Sequence, residues 1–220
     1  MKLAVWDVDG TIVDSRASIS ESMMAAFEAN GLAAPTYDQT RAIVGMSLLP
    51  AIKVLVPSAD DKLAASLKEA YRASFVQKCA SGYRDPMYDG CDTLLRKLKA
   101  DGWVMAVATG KSRAGVTSIF DAHDLHDLFD CIHCADDGPG KPDPHMLLEN
   151  LRVLGARAED AIMIGDTSHD MVMARAANVY AQGVTWGFHT AQEMREGGAD
   201  HVAQDFAELT VALETFGARR

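Results

Sequence analysis

Between residues 103 and 184 the sequence alternates short apolar runs with segments whose apolar residues recur every three or four positions. Runs at 103–109, 131–135, 161–164 and 180–184 read as strands; 113–120, 145–154 and 170–177 read as helices, the second with Leu147, Leu148 and Leu151 facing inward. Leu3-Ala4-Val5-Trp6 is one more apolar run, and it stops at Asp7, Asp9 and Gly10. Strands joined by helices must run parallel, because each crossover returns the chain to the same end of the sheet. Parallel strands are buried on both faces, which fits their continuous apolar character. The pattern therefore predicts an α/β fold: five parallel strands with helices on both faces.

Residues 15–81 interrupt that alternation and read as helices only. Ile19, Met23 and Phe27 are four apart, and Gly31 after Asn30 is a stop signal. Leu63, Leu67, Tyr71 and Phe75 make a second stripe, with Asp60 or Asp61 as its start, and Pro35, Pro50 and Pro57 punctuate the connections. A chain of 220 residues suits one domain with a modest insert. The expected organisation is a core of residues 1–14 and 82–220, and a small all-helical domain of residues 15–81 inserted after strand one.

Charge and cysteines narrow the function. Twenty-one basic against thirty-one acidic residues give a formal charge of −10, which repels nucleic acid and anionic membranes at long range. The longest unbroken apolar run, 103–108, is far short of a bilayer span, and the N-terminus meets Asp7 too early for a signal-peptide core. A cytoplasmic protein is expected. Cys131-Ile132-His133-Cys134, with His123 and His126 nearby, has metal-like spacing but no second cysteine pair, so Cys79, Cys91, Cys131 and Cys134 are expected to be buried, reduced thiols.

The polar residues collect where the strands end. Asp7 and Asp9 follow the first strand, Thr109 and Gly110 the second, Asp166 and Asp170 the fourth, and Lys141 sits in a Gly-Pro-Gly-Lys-Pro loop before a helix. Ligands of open parallel sheets bind beyond the carboxyl ends of strands. Four carboxylates gathered there repel unless a hard cation with oxygen ligands neutralises them, and a lysine and a threonine remain to hold an anion. The constellation points to Mg²⁺ plus a phosphoryl group. Each residue has a plainer role: Asp14 and Ser15 as helix caps, Asp166 and Asp170 as cap and first-turn acids of one helix.

Asp7-Val8-Asp9-Gly10-Thr11 followed by Ile12-Val13-Asp14-Ser15, then Thr109-Gly110-Lys111, Lys141-Pro142 and Gly165-Asp166-Thr167-Ser168-His169-Asp170, resemble in order and spacing the four motifs of haloacid-dehalogenase-like hydrolases, in particular the phosphoglycolate phosphatase-like branch. The resemblance implies a Rossmann-like core with a helical cap, and a phosphatase acting on a small phosphorylated metabolite such as phosphoglycolate. It implies Asp7 as nucleophile and Asp9 as acid and base. Thr109, the Gly110 amide and Lys141 would hold phosphoryl oxygens. Asp7, the Asp9 carbonyl and Asp166 would bind Mg²⁺, with Asp170 close by. Among cap cations, Arg16, Arg41 and Lys53 are candidates for the far end of the substrate, Arg41 being the choice.

Several alternatives stay open. Relatives that cleave carbon–halogen or carbon–phosphorus bonds lack the second aspartate, so Asp9 favours phosphate esters or anhydrides. Pyrophosphatase and nucleotidase activities fit the same motifs. Sugar phosphomutases of the branch carry a cap histidine where this chain has Arg16-Ala17-Ser18-Ile19-Ser20. A phospho-receiver signalling module shares the acids, threonine and lysine, but resembles a shorter, uncapped chain. A phosphate-binding pseudoenzyme would lack a motif residue, and none is missing. The oligomeric state is not written in these patterns.

Overall fold

A computed structural model describes residues 1–218. Six parallel strands form one sheet in the order β3-β2-β1-β4-β5-β6: β1 Leu3–Trp6, β2 Val104–Ala108, β3 Cys131–His133, β4 Ala161–Gly165, β5 Tyr180–Val184 and β6 His201–Ala203. The sixth strand is a correction to the five expected. It has three residues, two of them half-buried, so it carries no apolar run to read.

Side chains of β1 alternate between two cores. Ala4 and Trp6 join one cluster with Leu94, Leu95 and Leu98 of α5 (Cys91–Ala100), Phe120 of α6 (Arg113–His123), and Leu209 and Leu213 from the C-terminal helix Phe206–Gly217. Leu3 and Val5 join the other, with Met146 and Leu147 of α7 (His145–Leu154), Met171 and Met173 of α8 (Ser168–Ala176), and Met194 of α9 (Ala191–Glu196). The sheet is thus covered on both faces. One inward assignment fails: Leu148 is 46 % exposed, and Asn150 is buried on that face of α7 instead, donating to the Val107 carbonyl at 2.9 Å. A polar residue with a backbone partner displaced the leucine that spacing alone favoured.

Between β1 and α5 lie α1 (Arg16–Ala29), α2 (Tyr37–Ile43), α3 (Leu48–Leu55) and α4 (Asp61–Ala80). They pack around an apolar cluster of their own, with Met23, Phe27, Ile43, Ile52 and Leu67 at its centre. Asp60 caps α4 by accepting from the Leu63 amide at 2.8 Å, and the chain turns at Gly31 after α1. Ser15 occupies the N-cap position of α1 without a side-chain bond, while Asp14 accepts from the Arg16 amide at 3.3 Å. The cysteines are all free thiols; Cys91 and Cys134 are buried, but Cys79 and Cys131 are only half-buried, short of what was expected. No described helix is long and apolar enough to cross a membrane.

Candidate active site

Strand order reverses at β1, which has β2 on one side and β4 on the other. The loops leaving these three strands therefore open beside one another. Asp7 continues the β1 ladder, its amide donating to the Ile164 carbonyl at 2.9 Å, so the sheet itself fixes where its carboxylate emerges. Gly10 then turns the chain with φ +78°, and a Cβ there would lie 2.7 Å from both the Asp166 carboxyl carbon and the Phe188 ring. Only glycine allows that turn and that approach.

Asp7, Asp166 and Asp170 are buried and each offers an oxygen within 4.8 Å of the others. Lys141 Nζ lies 2.9 Å from Asp7 Oδ1 and 2.5 Å from Asp170 Oδ1, with all three side chains 1 % exposed or less. These are charge contacts without hydrogen-bond directionality: neither Asp7 oxygen, nor Asp170 Oδ1, nor the Lys141 ammonium has a directed partner. Asp166 differs, accepting from the Thr11 hydroxyl at 3.0 Å and the Phe188 amide at 2.8 Å. Asp170 is the first-turn acid of α8, as expected, and its second oxygen faces the site. Its Oδ2 completes the capping box of α8, accepting from the Thr167 amide and hydroxyl at 3.1 and 2.7 Å, while Oδ1 faces Lys141.

Three buried carboxylates and one ammonium leave an excess of negative charge. Burial pushes the Asp7 carboxyl up to about 6, with Lys141 opposing and Asp170 and Asp9 adding to the rise. Burial, then Asp170 and Asp7, hold Asp166 well above the usual carboxylate range. Burial alone would lower Lys141, but Asp170 and Asp7 outweigh it and keep the ammonium charged. The donor set fits a hard divalent cation: oxygen ligands only, three carboxylates, and both Asp7 oxygens without a directed partner.

Asp9 stands outside this triplet. Its carboxylate is gripped by Lys111 Nζ at 2.7 and 3.0 Å, and that ammonium also lies 4.9 Å from the centre of the Phe75 ring of α4. Lys111 has no role in the expectations from sequence; its place directly after Thr109 and Gly110 is the signal that points to it. Thr109 is buried and, with Gly110, Asp7, Asp9 and Lys111, walls a cavity of about 830 Å³ between the sheet edge and the four inserted helices. Those helices come down onto the site: a Cβ on Gly110 would meet the Gly45 and Met46 carbonyls at 2.5 and 2.6 Å.

Arg41 is placed differently from expectation. It does not line that cavity. Its guanidinium pairs with Glu193 of α9 at 3.0 Å and Asp38 at 3.1 Å and reaches the Phe188 carbonyl at 3.3 Å. With His189 Nε2 3.2 Å from the Arg41 carbonyl and His169 Nε2 3.1 Å from that of Ala42, it fastens α2 to the sheet domain. The other two candidates are also engaged, Arg16 with Asp14 at 2.5 Å and Lys53 with Asp61 at 2.9 Å.

The sequence model of the family described as Haloacid dehalogenase-like hydrolase matches residues 4–184. The chain belongs to this family. Among curated relatives of this hydrolase, "Probable phosphatase IndB" of Dickeya dadantii is 32 % identical over 215 residues, covering 96 % of this chain and 92 % of the relative. The phosphoglycolate phosphatase of Agrobacterium fabrum is 33 % identical over 218 residues, covering 96 % and 91 %. The crystal structure of a hydrolase from Pseudomonas syringae superposes with a TM-score of 0.88 over 98 % of this chain and 99 % of that one, at 24 % identity, a likeness of fold.

Proposed function

We propose that this hydrolase is a Mg²⁺-dependent phosphatase that cleaves a small phosphate monoester through an aspartyl-phosphate on Asp7. The observation that carries the reading is the Asp7 carboxylate: buried, at a cavity wall, beside Lys141, with both oxygens lacking a directed partner. A buried carboxylate kept in that condition serves structure poorly and chemistry well. Relatives named phosphatase and phosphoglycolate phosphatase support the same reading.

An Asp7 oxygen attacks phosphorus, the bond from phosphorus to the ester oxygen breaks, and Asp9 gives its proton to the departing alkoxide. Water then attacks the phosphorus of the aspartyl-phosphate, Asp9 takes the water's proton, and phosphate leaves as Asp7 is regenerated. Thr109, the Gly110 amide and Lys141 offset charge on the phosphoryl oxygens. Asp7, Asp166 and Asp170, with the Asp9 carbonyl, would hold Mg²⁺, which when bound neutralises phosphoryl charge and lets Asp7 approach an anion. Residues 15–81 act as a cap that keeps bulk water from the site while the phosphoryl group is on Asp7, leaving room for the one water that Asp9 activates.

Asp9→Asn tests the assignment. The amide keeps the shape but moves no proton, so turnover of a natural ester should fall by about 10²–10⁴-fold. Acetyl phosphate, whose leaving group needs little help, should still load Asp7, and the adduct should accumulate. Rapid quench and intact-protein mass spectrometry should show one added phosphoryl group, mapped to Asp7 by borohydride trapping. An adduct elsewhere, or undiminished turnover, contradicts the roles.

A further inference from the structure

The cavity beside Asp7 differs in chemistry from one end to the other. At the sheet edge stand Asp7, Asp9, Thr109, Gly110 and Lys111. The inserted helices face them with Ile19, Met23, Leu48, Leu49, Tyr71 and Phe75. A carboxylate one carbon away from the phosphate ester oxygen, as in phosphoglycolate, needs a cation next to the phosphoryl site. The cations there are already matched: Lys111 holds Asp9, and Lys141 lies between Asp7 and Asp170. On the cap side, Lys68 and Arg72 also line the cavity. Lys68 is seven residues before Phe75 on α4, or about 10 Å along the helix axis. Arg72 turns toward Glu69, 3.5 Å away. The intervening wall is apolar, and a cavity of about 830 Å³ has room for far more than a two-carbon acid.

We propose that this cavity selects phosphate monoesters whose alcohol carries an extended apolar body, aryl or alkyl, laid against Met23, Leu48, Tyr71 and Phe75. The inference rests on the phosphatase reading above and names the class of its substrate. Burying apolar surface of the leaving alcohol is the interaction this wall offers, and each methylene buried contributes roughly three- to fourfold in affinity.

The test is a series of n-alkyl phosphates from ethyl to octyl, with phosphoglycolate alongside, hydrolysed by the wild-type protein with Mg²⁺. The kcat/KM should climb roughly three- to fourfold per methylene, reaching at least about 100-fold between ethyl and hexyl, with phosphoglycolate well below hexyl phosphate. A flat or falling series in an enzyme that turns these esters over overturns the inference and leaves the phosphatase reading standing. Failure to hydrolyse any ester removes the phosphatase reading, and this inference with it. Calorimetry with the matching alkylphosphonates reads binding without turnover: affinity should rise along the series, with an increasingly negative heat-capacity change, and affinity independent of length overturns the inference. Leu49→Asp, at a position 38 % exposed that tolerates a polar side chain, should cut the hexyl-to-ethyl ratio of kcat/KM by about tenfold. An unchanged ratio overturns the placement of the alcohol on this wall.

Discussion

The two walls of the cavity are built on opposite principles. At the sheet edge the carboxylates around Asp7 have named partners: Asp166 is held by Thr11 and Phe188, Asp170 by Thr167, and Asp9 by Lys111. The helical wall is mostly apolar, and its contacts with the sheet domain include the Gly45–Met46 turn, a small cluster of Ile19, Val44 and Phe188, and the Arg41 fastening. The difference teaches a division of labour. On the proposed reading the reacting groups stand on the sheet, and the surface that would meet the rest of the substrate stands on helices with an apolar cluster of their own.

The largest test of that division compares losses on the two walls. Asp7→Asn should lower turnover by roughly 10⁴-fold or more, because an amide is a poor nucleophile. EDTA should likewise abolish hydrolysis of p-nitrophenyl phosphate, Mg²⁺ should restore it, and Ca²⁺, with its looser coordination, should substitute poorly. Truncating one apolar side chain of the helical wall, such as Met23→Ala, should cost no more than about 10–200-fold in kcat/KM. Steady-state assays of the variants and the chelated protein decide it; equal losses on both walls would erase the distinction.

A middle-sized effect concerns the metal-free protein. Because the folded Asp7 sits at about 6 against an ordinary 3.8, its protonated form is the one that folding favours. That contribution is fully present below the unfolded value and is lost as pH rises through about 6. Asp166 adds in the same direction. A cation displaces those protons, so the gain in Tm on adding Mg²⁺ should grow from pH 4.5 to about 7 and then level off. Thermal melts across that range measure it, and a pH-independent gain would mean that the metal does not meet these carboxylates.

The smallest effect belongs to Arg41. Its bond to Glu193 is half-exposed, and such pairs are worth at most about 1 kcal/mol. Burial would raise the Glu193 carboxyl, yet the Thr190 amide and Arg41 hold it at about 2. Arg41→Ala should lower Tm by a few degrees at most and should shift KM for all esters alike, since it loosens the cap without touching substrate. A change in the ranking of esters would return Arg41 to the recognition surface.

These contrasts explain what was legible in the sequence. Asp7, Asp9, Thr109, Lys141, Asp166 and Asp170 stood out because carboxylates and a lysine at the ends of apolar strands have few structural reasons to be there. Ile19, Met23, Tyr71 and Phe75 recur at helical spacing, and that spacing is the same whether a side chain fills a core or walls a cavity. So the helices were readable and the cavity was not. The pairing of Arg41 with Glu193, 152 positions away, likewise lies beyond any local pattern. β6 was missed because three residues, two of them half-buried, form no run.

The register of β1 carries a consequence for how the protein is made. Leu3 pairs with Val104 on one side and Ala161 on the other. β1 is therefore not paired on both edges until β4 has been made. At about 5–20 residues per second, roughly 8–30 s separate the synthesis of Asp7 from that of Asp166. Throughout that interval Asp7 stands on a strand with at least one open edge, while the four inserted helices, whose own apolar cluster draws only on residues 23–71, can assemble ahead of it.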